Sequence, residues 1–449
     1  GWGTCFGLSA DNLDFTSTQS GSKYVNVIAA KDKTNWNGST TSQLLDLTKP
    51  CDVMGTDSGA EVLPGVIDPI VYNVTVNGST LSIIKPCASD SCKDPGNGYV
   101  NAGYYAQWAV WGRKYNPYNM PFNNINDIIY AFVGFNPATG DIKTLDASAD
   151  SWGMSAVSRA MLQYPYMKAH LSFGGWTNNG LTTAPMFEQL SSSTVSMNNF
   201  ANQAIELMRK TGFTGIDIDW EWWSGDDGNG LNASPHAKEQ LALLTAIRNK
   251  LDQLSKANNQ HYSLSIAVSV APDKIESSEV DGINRGVPNF WQQVSQLVDH
   301  MSVMAYDMHG AFESISDFQA PWGMEPNSPH KNTSYDAFDG LKKYVSYGVN
   351  SNKLVLGIPA YGRSMQVSSV ASPNFGLYES VTGTPNGEWD TAGDEITGIF
   401  DYKCIINSSI CSHHSVGILC ILLFKALLLN ILQIYRCSTR KILAVSMFP

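Results

Sequence analysis

A chain of 449 residues can hold two or three domains, or one large barrel with appendages, and 43% hydrophobic residues is ordinary for a globular protein. Its net charge of −11 and pI near 5.2 argue against nucleic-acid binding, which would need a basic face. Only 15% of residues are charged, while 12 Trp and 19 Tyr supply an abundance of flat rings.

Residues 1–98 are rich in Gly, Ser, Thr and Asn and read as a small β-rich accessory module. Within it Tyr72–Val76 alternates, Asn77-Gly78 follows, and Ser79–Ile84 returns, which is the signature of a two-residue hairpin. Asp94-Pro95-Gly96-Asn97-Gly98 then reads as a linker. Cys5, Cys51, Cys87 and Cys92 fall in this part, and Cys404, Cys411, Cys420 and Cys437 in the last fifty residues. Four cysteines in a small polar module imply disulfides, with three possible pairings, and an oxidising compartment. They lack paired Cys-x-x-Cys spacing and a neighbouring His, which argues against zinc there. The expectation is export from the cell. The first residue is Gly, consistent with a cleaved signal peptide or a fragment.

From Tyr99 the pattern changes to strands alternating with helices. Apolar strand-like runs lie at Val100–Tyr105, Asp127–Phe135, Lys168–Phe173, Gly215–Trp220, Ser263–Val270, His300–Ala305 and Leu354–Pro359. Between them Met197, Phe200, Ala204 and Met208 share a helical face that Gly212 ends. Leu241, Leu244, Ile247, Leu251 and Leu254 share another, with Ser234-Pro235 as its expected start, and Tyr335–Tyr347 forms a third, stopped by Gly348. Near-continuous apolar strands separated by helices predict a parallel α/β sheet, and seven of them favour a closed (β/α)8 barrel over an open one.

The most informative stretch is Thr214-Gly215-Ile216-Asp217-Ile218-Asp219-Trp220-Glu221. Side chains alternate along a strand, so Asp217, Asp219 and Glu221 share one face and Ile216, Ile218 and Trp220 the other. Carboxyls roughly 6.5–7 Å apart along the backbone repel one another, and at least one must keep its proton. A carboxyl protonated near neutral pH is what general-acid catalysis needs. A calcium loop of the EF-hand kind would need Gly and Glu at its sixth and twelfth positions, where Trp222 and Gly228 stand.

Four ordered motifs carry a resemblance over about Tyr99 to Tyr402. They are Ser172-Phe173-Gly174-Gly175 before Trp176, the acid run ending in Glu221, Met304-Ala305-Tyr306-Asp307, and Gly357-Ile358-Pro359-Ala360-Tyr361-Gly362-Arg363. In these the chain resembles glycoside hydrolase family 18, the chitinases and their relatives. The resemblance implies a (β/α)8 TIM barrel and a secreted, endo-acting chitinase that cuts β-1,4-N-acetylglucosamine linkages in chitin, without metal or organic cofactor. It implies Glu221 as general acid and base and the substrate's own N-acetyl oxygen as nucleophile, a retaining route. Asp219 would stabilise the cyclised cation, Tyr306 would align the acetamido carbonyl, and Asp217 would share a proton with Asp219, supported by Ser172. Trp176, Asp307 and Arg363 would line the sugar subsites. The family opens its acid motif with Asp where this chain has Thr214. Chitin or its oligosaccharides are the implied partners, with no nucleic acid and no membrane.

The tail does not continue the pattern. After Asp401 there is no Asp, Glu or Trp, and Gly417 is the sole glycine. The family's inserted α+β segment and its eighth strand are not found, so the barrel is expected to be incomplete. Val416–Ile434 is Leu/Ile-rich, interrupted by Lys425, Asn430 and Gln433. It fits a membrane anchor or a divergent buried helix, and best a change of reading frame or a truncation that makes 403–449 atypical. An incomplete barrel would leave a catalytically dead glycan-binding protein as the alternative to the enzyme.

Overall fold

A computed structural model describes residues 93–178, 181–221, 236–369, 376–391 and 396–402. It adds the backbone of short strands at Leu13–Ser17, Asn26–Ala30, Val71–Val76, Ser79–Ile84, Ile418–Cys420 and Leu443–Phe448. The chain divides into two compact units, Gly1–Ile218 with Ala246–Leu264, and Asp219–Thr245 with Ser265–Pro449.

The first unit contains the predicted hairpin, with Val71–Val76 antiparallel to Ser79–Ile84 and Val76 opposite Ser79, so Asn77-Gly78 is the two-residue turn. Its main sheet is built from β1 (Ala102–Ala106), β2 (Asp127–Phe135), β3 (Lys168–Gly174) and the start of β4 (Gly215–Asp219). β1 pairs parallel with β2, and β2 parallel with β3. These strands are buried almost end to end, which is why they read as apolar runs rather than as alternating ones. Helices α1 (Ala147–Gln163), α2 (Ala184–Ser191) and α3 (Thr194–Thr211) connect and cover them. α3 starts at Ser193, whose side chain accepts from the Ser196 N–H, and ends at Gly212 in the left-handed region, as its sequence predicts. Its Phe200 meets Phe135 and Phe173 edge-on, with ring centroids 5.3 and 5.0 Å apart.

The chain passes to the second unit within β4, α4 (Ala237–Asn258) and β5 (Ser263–Ser269). Leu244, Ile247 and Leu251 of α4 are buried as expected, with Leu241 and Leu254 only partly so. The helix begins at Ala237, and the predicted start at Ser234-Pro235 lies outside the described residues. In the second unit β5, β6 (His300–Met304) and β7 (Leu354–Ile358) pair in parallel. Between β5 and β6 run α5 (Pro272–Asn284) and α6 (Phe290–Leu297), and between β6 and β7 runs α7 (Ala337–Ser346). The Glu279 carboxylate accepts from the N–H groups of Phe290 and Trp291, which fixes the start of α6 on α5. Trp291 then packs edge-on against Tyr344 of α7, 4.8 Å between centroids.

Both units repeat strand, helix and next parallel strand. This is the α/β grammar of the (β/α)8 TIM-barrel type, and all seven predicted strands occur within about two residues of their expected bounds. The second unit also holds an antiparallel sheet that the sequence reading did not foresee. β8 (Tyr361–Val367) pairs with β9 (Val381–Gly383), β10 (Ile399–Asp401) and β11 (Ile418–Cys420). Arg363 therefore sits on this added sheet rather than on the seventh barrel strand. Seven strands of the barrel are described with their side chains. Its far edge at β7 is paired in parallel by the backbone of β12 (Leu443–Phe448), a strand in the tail that the sequence did not reveal. Ile418–Cys420 is strand, and the remainder of 416–434 lies outside the described residues, as do the eight cysteines' side chains. Among the described residues no helix is long and apolar enough to cross a membrane.

Candidate active site

All five residues of β4 are buried, including Asp217 and Asp219, whose polarity sets this strand apart from its apolar neighbours. In the first unit Asp217 accepts a hydrogen bond from the Ser172 hydroxyl of β3 at 2.7 Å and a longer one from the Tyr104 hydroxyl of β1 at 3.4 Å. Ser172 was expected beside the acids. Tyr104 was not, because a tyrosine in an apolar strand reads as core until its partner is seen. Thr214, at the foot of the acid run, gives its hydroxyl to the backbone by accepting from the Ala169 N–H at 3.1 Å. It thereby stitches the base of β4 to β3 without adding charge.

The same unit presents three half-exposed indoles, Trp108, Trp111 and Trp176. Trp108 stacks on Phe132, 6.3 Å between centroids. Trp111 donates from its Nε1 to Asp146 at 2.8 Å. Trp176 follows two glycines with positive φ, Gly174 and Gly175, and a side chain at Gly175 would run into the Phe132 ring. Only Trp176 was foreseen, since its Gly-Gly motif precedes it, whereas Trp108 lies in a 3-10 turn and Trp111 caps its end, without a motif.

In the second unit Glu221 stands two residues beyond Asp219, just past the C-terminal end of β4. Burial lifts its carboxyl from the usual carboxylate range to about 7. A side-chain hydrogen bond with Asp219 pulls it downward, and the negative charge of Asp307 pushes it up again. Two carboxyls can share a hydrogen bond only if one keeps its proton, so Asp219 and Glu221 titrate as a pair.

Asp307 is itself held in the left-handed region, at φ 56°, an uncommon state for a non-glycine residue. Arg363 of β8 donates from Nε to the Asp307 carboxylate at 2.5 Å, and the Arg363 guanidinium lies over the Phe312 ring, 5.7 Å from its centroid. The Tyr361 hydroxyl, hydrogen-bonded to Asp307, is pushed well above its ordinary value by desolvation first and by Asp307 second. Tyr306 meets Tyr361 edge-on at 6.2 Å. Gly357 of β7 leaves room for Tyr306, because a Cβ there would fall 2.8 Å from its ring and 2.6 Å from the Val303 carbonyl. Asp219, Glu221, Tyr306, Asp307 and Arg363 thus belong to one unit, and Asp217, Ser172 and Trp176 to the other.

Comparison with known proteins follows the same lines. The family model described as "Glycosyl hydrolases family 18" matches residues 100–426. "Chitinase 1" of Aphanocladium album is 30% identical over 344 residues, 72% of this chain and 72% of that protein. "Chitinase A1" of Niallia circulans is 26% identical over 374 residues, 72% of this chain and 50% of that protein. Among solved structures, chitinase ChiA74 from Bacillus thuringiensis superposes with a TM-score of 0.63 at 19% identity, covering 78% of this chain and 65% of its own. Ostrinia furnacalis Group IV chitinase in complex with allosamidin gives 0.58 at 24% identity, covering 69% and 78%. Likeness at those identities speaks to the fold alone.

Proposed function

The chain belongs to family 18 of the glycosyl hydrolases, and on that premise we propose that it is a chitinase hydrolysing β-1,4-N-acetylglucosamine linkages within the polymer. The observation that carries the reading is the hydrogen-bonded Asp219–Glu221 pair at the end of β4, with Glu221 retaining its proton up to about 7.

In the first half-reaction the Glu221 proton passes to the glycosidic oxygen, and the bond from that oxygen to the anomeric carbon breaks. The acetamido oxygen of the same sugar forms the new bond to that carbon, which yields a cyclic oxazolinium ion. The positive charge falls beside the Asp219 carboxylate, and Tyr306 holds the acetamido carbonyl in line. Asp217, fixed by Ser172 and Tyr104, braces the strand that carries the reacting acids. In the second half-reaction water attacks the anomeric carbon from the vacated side and loses its proton to Glu221, so configuration is retained. Trp176, Asp307 and Arg363 bind the flanking sugars, and export agrees with the cysteine-rich ends of the chain.

The test is stereochemical. Proton NMR of freshly cleaved chitin oligosaccharide should show the β-anomer first, and a thiazoline mimic of the cyclised sugar should inhibit competitively. Initial release of the α-anomer, or indifference to the thiazoline, refutes the substrate-assisted route.

A further inference from the structure

A second constellation of chemistry-bearing side chains follows Asp307 in the second unit and takes no part in the reaction above. His309, Glu313 and His330 each offer a ligand atom, and all three atoms lie within 4.8 Å of one another. His309 Nδ1 faces Glu313 Oε2 at 2.8 Å, and His330 Nε2 faces the other carboxylate oxygen, Oε1, at 3.8 Å. The two imidazoles stack, 4.3 Å between centroids and 22° between planes, so both present an edge to the same carboxylate.

From these contacts we propose that His309, Glu313 and His330 form a binding site for a zinc-like divalent transition-metal ion. The donor set is two imidazoles and one carboxylate, the set zinc takes when it keeps a further position open. With bonds of about 2.0–2.2 Å in a tetrahedral shell, two ligand atoms on one zinc lie about 3.3–3.6 Å apart, so the wider separations in the cluster would close on an ion with shifts of up to about an ångström. His309 is fully buried, and its Nε2 has no hydrogen-bond partner among the described residues.

The surroundings match those of a ligating histidine. His330 Nδ1 lies 2.9 Å from the carboxylate of buried Asp317, so Nδ1–H donates there and Nε2 is left with its lone pair toward Glu313. Asp317 is held in turn by the Ser328 hydroxyl at 2.5 Å and by the Phe318 N–H at 2.8 Å. Tyr335 closes over His309 edge-on. Glu313 and His330 are each about a quarter exposed, which gives an ion a way in. The site is legible only in the structure, because its ligands are scattered over loops with no motif spacing.

The experiment is titration of chelator-treated, full-length protein with Co2+ and Zn2+, followed by cobalt absorption and calorimetry. One equivalent should bind at micromolar or tighter affinity, without the thiolate charge-transfer band that ligation by any of the eight cysteines would give, and should raise Tm. His330→Ala and Glu313→Gln should abolish it. Asp317→Asn, which acts through His330, should weaken it about 10–100-fold while leaving the stoichiometry unchanged. Absence of binding by the wild-type protein, a thiolate spectrum, or unchanged binding in folded His330→Ala would overturn the proposal. Glu313→Gln, at a partly exposed position, serves if His330→Ala does not fold.

Discussion

At the scale of single residues the proposed chemistry depends on where one proton sits. Burial and the Asp307 charge hold the Glu221 proton up to about 7. The acid form is therefore lost above that pH, and kcat/KM should fall on the alkaline side with an apparent pKa near 7 in a pH–rate profile. Glu221→Gln removes the transferable proton and should cost about 10²–10⁴-fold in kcat on a chromogenic chitobioside. Asp307→Asn takes away a charge that opposes ionisation of Glu221, so the alkaline limb should move to lower pH. An unmoved or raised limb would show that Asp307 does not act on Glu221. The linkage has a definite sign. A carboxyl whose folded pKa exceeds its unfolded one contributes stability below about 4.5 that is lost as pH rises through 7. Glu221→Gln should therefore gain stability relative to the parent above pH 7, visible as a higher midpoint in urea. The acid trio was legible in the sequence because alternation fixes its face. Tyr104 and the Arg363–Asp307 ion pair were not foreseen as contacts, since they join residues 113 and 56 positions apart.

At the scale of elements the acid strand is only as well placed as its foot. Beneath it a buried chain runs from Asp127 to His170 Nδ1 at 2.8 Å, and from His170 Nε2 to the Ser263 hydroxyl at 2.6 Å. The order of groups is that of a hydrolytic triad. But all three are under 5% exposed and lie at or near the N-terminal ends of β2, β3 and β5, where side chains serve stability. Gly215, the first residue of β4, packs against this chain. A Cβ there would lie 2.3 Å from His170 Cδ2 and 2.6 Å from both His170 Nε2 and Ser263 Oγ. Neither neighbour can swing away without breaking a buried hydrogen bond, so Gly215→Ala should destabilise by about 1–3 kcal/mol or more. Chemical denaturation checks it, and a change below about 0.5 kcal/mol would show the foot to be plastic. The strands were readable because burial on both faces leaves continuous apolar runs. The added sheet around β8 was not, since its partners β9, β10 and β11 are three-residue strands too short to show a period.

At the scale of the whole molecule the question is what pairs β7. Every residue of Leu354–Ile358 is buried, so this strand needs covered faces and a hydrogen-bonded neighbour on each side. β6 supplies one neighbour through Met301–Val303. The other is β12, with Val355 opposite Leu443 and Ile358 opposite Ser446. Composition marked 403–449 as foreign to the fold, because acids, tryptophan and turn glycines vanish there together. Pairing is a backbone property, however, and Leu-Ala-Val-Ser-Met-Phe has enough β-branched and apolar character to occupy an edge. Ending the chain after Tyr402 removes β11 and β12 together. It exposes the backbone donors and acceptors of β7 on one side, and it frees the β8 register at Ser364–Gln366. That shortened protein should lose its sharp thermal transition and elute as aggregate in size-exclusion chromatography, with turnover falling in proportion to the monomer remaining. Retention of a cooperative transition and of full turnover by the shortened chain would mean that β7 needs no strand from the tail. The seven strands would then form the working fold by themselves.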